Sequence, residues 1–487
     1  MTKKLKSGTP FVYDENDRVV GIRDPHTGTD TDLVTAVTSP GGGIEIAGGI
    51  QAGVYLPPEG FSVPPQLAGI KAFSVGDRFG CNITPESLID TSTWSNTYYV
   101  DNVGGTDANS GLTWALRKKS IGGALRTASA SGLPSRVLVW NSGIPYWRQV
   151  SAGDDGSDRN SNVPILLEAM NGRVQTGTYD NLTWVKTGGL TNVYQAARSS
   201  AYRCVNPSVK DSSGIYADYV WVASTAACDA LEGSWYTDNV NVYIHPHNKV
   251  VPTLTNARVI LHATGFNWSN NQNLVVRGFD FEGGVNGAIR VRNGSTNTVV
   301  VDDCTFRYGT ASNTAAGGET VVDGVQILGC GLFAAFDCRA DRNSKDGFNM
   351  HANAGVVPSG LFVRCFGTLN GMNPSTSNNG FTTHDGIKSV SIGCDWRGNY
   401  GMGSGHISNG TQVWSVGDVS GASMGDPIYA GNLPYGGFGV WLGAAEMWMD
   451  SCRDTGAEWG VIRLDTAALH LRNHRGSGQR SAGITAF

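Results

Sequence analysis

Long hydrophobic runs are missing from these 487 residues. No stretch approaches the ~18 apolar residues of a membrane span, so membrane insertion is not expected. The opening MTKKLKS is basic, but no apolar run of a secretory signal follows it. Synthesis in a cytoplasm is therefore expected. Charge is scarce too: 16% of residues are charged, against about a quarter in typical domains. The net charge is −5, and a nucleic-acid partner usually demands a basic face, so none is expected. No cysteine pair has zinc-type CxxC spacing. No P-loop, dinucleotide fingerprint or G-x-S-x-G elbow occurs either, so no cofactor is expected.

What is abundant is glycine, at 66 residues, with frequent Asn, Ser and Thr. These residues suit many short strands joined by tight turns, because Gly and Asn accept positive φ at low cost. Five cysteines recur in one local setting: Cys304, Cys338, Cys365, Cys394 and Cys452. Each follows a short apolar run and precedes a Gly- and Asn-rich stretch. Their intervals are 34, 27, 29 and 58 residues, the last about two repeats long. Phe279 fits the same frame, Gly417 is expected to fill the gap before Cys452, and Asn473 to follow it. A column revisited at such intervals marks a solenoid, and the strand-like runs make it a β-solenoid. Nine cysteines, an odd number, at rung spacing read as reduced, buried apolar residues stacked in a column.

Three parts follow from composition. Residues 1–97 form a separate module that opens with FVYDENDRVVGIRD, a strand–turn–strand pattern. GGG at 41–43 reads as a flexible turn. Residues 98–135 hold the strand YYVD and then Ile121, Ala124, Leu125 and Ala128 at helical spacing. Lys118 and Lys119 are placed on that helix, solvated. Residues 136–487 begin with RVLVW and supply roughly a dozen coils. NGST at 293–296 reads as a turn.

The YYVD strand, the GLT turn, the SI-x-x-AL-x-x-A helix and the strand ending in NSGIPY resemble the opening of pectate-lyase-like right-handed parallel β-helix proteins. The resemblance implies an all-β right-handed parallel β-helix, its N-terminal end plugged by the helix. DGFNMH (346–351), NNGFTTHDG (378–386) and GNYG (398–401) resemble blocks of phage tailspike-type members.

Two clusters carry candidate chemistry. His351 and His384 each lie four residues after a glycine and should stack on successive rungs, about 4.8 Å apart. His406 is one step out of that column. Asp346, Asp385 and the amides of Asn349, Asn379 and Asn399 lie nearby. Such a patch could perform acid–base chemistry, bind sugar or hold a divalent ion. It could equally be a ladder that only satisfies hydrogen bonds. Stacked histidines should stay neutral at pH 7. In AAEMWMDSC, alternation turns Ala445, Met447 and Met449 inward and Glu446, Trp448 and Asp450 outward. Trp396, Tyr400, Trp414, Tyr435, Trp441 and Trp459 fall in neighbouring rungs, with Glu458 and Asp465. Aromatic faces beside carboxylates suit a saccharide, and paired carboxylates could cleave one. Exposed acids and trimer-interface aromatics are the plainer reading.

The assigned catalytic candidates are thus Asp346, His351, His384, Asp385, Glu446 and Asp450. The substrate-binding candidates are Asn349, Trp396, Tyr400, His406, Trp441, Trp448 and Trp459. With the resemblance, these imply a virion appendage acting at the bacterial surface. Its N-terminal module would join other tail proteins, and its coil would bind, and could degrade, a surface polysaccharide as a homotrimer. The alternatives are a structural or adaptor protein of the virion and a secreted polysaccharide lyase or hydrolase.

Overall fold

The computed structural model describes residues 53–147, 161–212, 214–261, 265–309, 322–371, 378–421, 436–456 and 459–487, with the backbone of short strands within 1–52. From residue 96 onward the chain winds into a right-handed parallel β-helix with three faces. Face one has twelve parallel strands, from Asn96–Val100 to Thr485–Ala486. Face two has nine, from Tyr146–Trp147 to Arg453–Thr455. Face three also has nine, from Phe266–Ser269 to Gln479–Arg480. Alternation sends one set of side chains into the coil, where Val276, Val301, Phe306, Phe348, Phe362 and Trp396 form a continuous core.

The short helix falls where its spacing placed it. The helix Ile121–Ser131 is N-capped by the Ser120 hydroxyl, which accepts from Gly123 N, and ends at Gly132 in the left-handed region. Ile121, Ala124, Leu125 and Ala128 are buried against the first strands of face one. Lys118 differs from expectation. It precedes the helix and is buried, its ammonium held by the carbonyls of Asp107 and Asn109.

The cysteine column lies at the bend between faces one and two. All nine cysteines are free thiols and buried. Each column cysteine follows one residue at positive φ: Asp303, Asp337, Arg364, Gly393 and Ser451. One left-handed residue turns the strand, and the next side chain drops into the corner. Register places Phe279 beside Cys304, as expected. It also corrects two positions. Val419 pairs with both Asp395 and Arg453, so the gap is filled by Asp418, not Gly417. A bridge between Arg453 and Arg475 puts His474, not Asn473, after Cys452. Gly417 and Asn473 are instead the turning residues, with φ of 67° and 55°.

At the opposite bend, between faces two and three, Asn343, Asn370 and Asn399 form a buried ladder. Asn343 Nδ2 donates to Asn370 Oδ1 at 2.9 Å, and Asn370 Nδ2 to Asn399 Oδ1 at 3.0 Å. Asn399 therefore holds rungs together rather than lining an outer patch. The NGST stretch is a turn between faces three and one, as expected.

Two features depart from the expected three-part organisation. The chain leaves face two at Gly177 and rejoins the coil at Phe266. Between them lie a five-stranded and a three-stranded sheet and the helix Thr225–Ala230. This insert docks on face two through buried ion pairs, such as Arg258 with Glu282 at 2.7 Å.

The second departure is the course of residues 53–97. Phe11–Tyr13 pairs antiparallel with Val19–Arg23 as the sequence suggests; the DEND turn and the GGG stretch lie outside the described residues. Residues 53–97 do not stand apart from the coil. They run along the outside of face one as a strap. Outward-facing Leu166, Val275, Val300, Ala334, Leu361, Val390, Trp414 and Trp448 form one apolar column in register. Phe61, Leu67, Ile70, Ala72, Cys81 and Ile89 cover that side of the sheet. Burial on both sides explains the near-continuous apolar strands such as LVVR and LFAAF.

Candidate functional site on face three

Face one is covered by the strap and the first rungs of face two by the insert. The candidate site lies on the outer side of face three. There, successive strands place Gln326, Asn349 and Thr382 in one outward column. Leu328 and His351 stand in the next. Just before each strand, the stretches VVDG, SKDG and SNNG place Asp323, Asp346 and Asn379 in neighbouring rungs.

His351 and His384 stack as expected, with ring centroids 4.0 Å apart and planes 17° from parallel. His351 Nδ1 lies 3.4 Å from Asp385 Oδ2. Asp385 also accepts from Ala352 N at 3.2 Å. Burial holds His351 below the ordinary histidine range, against the pull of Asp323 and Asp385. Burial, then the neighbouring His351, pushes His384 down to about 2. Both rings are therefore neutral at pH 7. His384 Nε2 is buried and has no hydrogen-bond partner among the described residues.

Asp346 is fully buried and accepts from Asn379 N at 2.8 Å. Lys345 Nζ lies 3.4 Å from Asp323 Oδ1 and 3.8 Å from Asp346 Oδ2. Burial raises Asp346 to about 6; Lys345 opposes the shift and Asp323 adds to it. Asn349 donates from Nδ2 to Asp323 Oδ1 at 3.2 Å, and its Oδ1 has no partner among the described residues. Asn379 Nδ2 donates to Thr382 Oγ1, and its Oδ1 accepts from Met402 N.

Two rungs further on, Trp441 lies flat over the sheet. A Cβ at Gly405 would meet its ring at 2.6 Å, and one at Gly439 at 3.0 Å, so both positions are glycine because the indole occupies that space. Trp441 packs with Met402, Ile462 and Trp459, and its Nε1 is a buried donor without a partner among the described residues. Tyr400 sits half-buried on the turn that enters this face, next to Asn399 and Gly401.

Several candidates belong elsewhere. His406 faces into the coil, fully buried, bonded to Thr383 Oγ1 and Ser404 Oγ at 2.8 Å each. Burial pushes it down to about 3, and its ring faces the core instead of the outer side of the sheet. Trp396 is likewise in the core, stacked 5.2 Å from Phe381. Alternation in AAEMWMDSC is as read, with Ala445, Met447 and Met449 inside. The outward residues of that strand do not face an open groove, however. Trp448 and Trp414 pack under Phe61, at 5.8 Å and 6.2 Å. Asp450 is fully buried and bound by Arg472. Glu446 is part-exposed and pairs with His470 at 2.9 Å. None of these three lies with the stacked histidines. Asp465 accepts from Leu442 N on a turn. Glu458 and Tyr435 lie outside the described residues.

Sequence reading missed Asp323, Lys345 and Gln326. The signal was present: Asp323–Gly324 repeats the Asp346–Gly347 frame one rung earlier. The 34-residue interval between Cys304 and Cys338 hid that alignment. No group of three or more His, Cys, Asp or Glu that could hold a metal occurs among the described residues.

No family model matches the chain, and no curated protein matches it. Solved structures of similar outline include a complex of XylC with xylose, at 10% identity and a TM-score of 0.46, covering 80% of this chain and 69% of that one. A glycoside hydrolase matches at 9% identity and 0.46, over 80% and 96%. Pectate lyase Pel9A matches at 14% and 0.33, over 79% and 81%. Likenesses this distant carry no chemistry across. The assignment of a parallel β-helix rests on the chain's own strand pairing.

Proposed function

We propose that this chain binds a bacterial surface polysaccharide along the outer side of face three, as a rod-shaped appendage of a phage virion. One observation carries the binding site. Asn349 Oδ1 and His384 Nε2 are buried polar atoms without partners among the described residues, set on adjacent rungs of one face. Unsatisfied buried groups are costly and call for a missing partner. Neutral hydroxyls, which donate and accept, suit a carbonyl-type acceptor and an imidazole nitrogen together. The indole of Trp441 adds an apolar surface with one spare donor, which suits a sugar ring. In this reading, attachment to other tail proteins falls to residues ahead of the strap, and three copies multiply weak contacts. Binding of purified chain to capsule and lipopolysaccharide preparations tests the site. Asn349→Ala and His384→Ala each weaken retention about tenfold; unchanged retention contradicts it.

The environment of Asp346 favours a second reading, that the bound glycan is also cleaved. A carboxyl raised to about 6 by burial holds its proton closer to neutral pH than an ordinary Asp does and can protonate a leaving oxygen, with the Asp323 carboxyl beside it across Lys345. Asp346→Asn then abolishes release of reducing ends while polysaccharide is still bound. Reducing ends released at the parent rate exclude this role.

A further inference from the structure

A second constellation lies at the far end of the coil, on face one beyond the strap. Trp448, His470 and Thr485 stand in register on three successive strands. His470 Nδ1 lies 2.6 Å from Thr485 Oγ1, and His470 Nε2 lies 2.9 Å from Glu446 Oε1. Glu446 is itself held, its Oε2 accepting from Gln412 Nε2 at 3.1 Å. A carboxylate acceptor on one ring nitrogen fixes the proton there. His470 then carries its proton on Nε2 and turns a lone pair on Nδ1 toward the hydroxyl. The indole of Trp448 stacks on the ring, centroids 5.1 Å apart and 18° from parallel. It fixes the ring plane.

We propose that Thr485, His470 and Glu446 form a hydroxyl–imidazole–carboxylate relay that hydrolyses short acyl esters. The three roles match those of a nucleophile, its base and the group that orients the base. Thr485 is exposed on the last strand described for face one. In this relay the oxyanion donor comes from the backbone next to Thr485. Phe487 N donates to Leu471 O at 3.3 Å. Alternation along the strand therefore turns the N–H of Ala486, the residue after the nucleophile, away from that neighbour. Arg472 lies over the Phe487 ring at 4.6 Å and holds the strand end.

The chemistry balances with water as the only co-reactant. Thr485 Oγ1 bonds to the acyl carbon as its proton passes to His470 Nδ1. The ester C–O bond breaks, and the departing alcohol takes that proton. Water then gives a proton to Nδ1 while its oxygen attacks the acyl-threonine. The carboxylic acid leaves and the Thr485 hydroxyl is restored. This site shares no residue with the face-three site, so either assignment can fail alone.

The test uses the full chain and p-nitrophenyl acetate. Hydrolysis above buffer is expected, with an acetyl mass trapped on the peptide that contains Thr485. Thr485→Ala and His470→Gln lower the rate about 100-fold, and Thr485→Ser recovers turnover relative to Thr485→Ala. Glu446→Gln lowers kcat with KM little changed, because the imidazole loses the carboxylate that orients it. Circular dichroism checks that each variant keeps the parent fold. A parent rate equal to buffer, or a Thr485→Ala rate equal to the parent, overturns the proposal and leaves only a latch for the last strand.

Discussion

At the scale of single residues, the clearest buried charge question is Asp418. It occupies the cysteine column, fully buried, and accepts from Cys394 N at 2.8 Å. Burial raises it from 3.8 to about 7, despite hydrogen bonds that pull it down. The folded protein therefore keeps a proton that the unfolded chain releases above about pH 4. Stability from this group is present at acid pH and is lost as pH rises toward 7. The shift corresponds to roughly 4 kcal/mol, at 1.4 kcal/mol per pKa unit. Asp418→Asn should flatten that slope, so that melting curves at pH 8 and pH 5 lie closer together than in the parent. A variant with the parent's pH slope would show that Asp418 ionises freely in the fold. The stacked pair His351–His384 was legible in the sequence because two glycines set the same offset for both. His406 was misjudged for want of one detail. Register aligns it with Thr383, an inward position, while His384 is the next residue and faces out.

At the scale of elements, two devices hold the rungs together, and each can be broken singly. Asn370 is the middle of the ladder, donating to Ala340 O and Asn399 Oδ1 and accepting from Asn343. Asn370→Ala leaves buried groups on both neighbours unpaired and should cost about 2–3 kcal/mol in chemical denaturation. A cost below 0.5 kcal/mol would mean that the ladder is dispensable. Phe61 is the strap's anchor on Trp414 and Trp448. Phe61→Ala should cost about 3 kcal/mol and should speed proteolysis between residues 53 and 97. Proteolysis at the parent rate would contradict the docking. Strand spacing and the cap helix were legible because period 2 and period 3.6 are local signals. The column slipped by one at Gly417 and Asn473 because the left-handed residue and the corner residue are neighbours. Both positions recur at the same period.

At the scale of the whole molecule, the coil was readable and its coverings were not. Trp414 and Trp448 stand outward, as alternation requires, and outward aromatics read as an open sugar surface. What covers them lies over 300 residues away in sequence, and no local pattern announces such a contact. The insert between Gly177 and Phe266 was hidden for a related reason. Its short strands share the composition and spacing of rungs, and only pairing reveals antiparallel sheets there. The result is a rod with face one under the strap and a polar outer surface on face three. If three such rods assemble, sedimentation of the purified chain should give about three times the 51.5 kDa of one copy; a monomer at working concentration would remove the gain from multivalency. The most direct test of the central claim is polysaccharide retention by the Asn349→Ala/His384→Ala double variant beside Phe61→Ala, at matched folding. The account predicts that the face-three variant loses binding while Phe61→Ala, on face one, keeps it. The reverse pattern would contradict it.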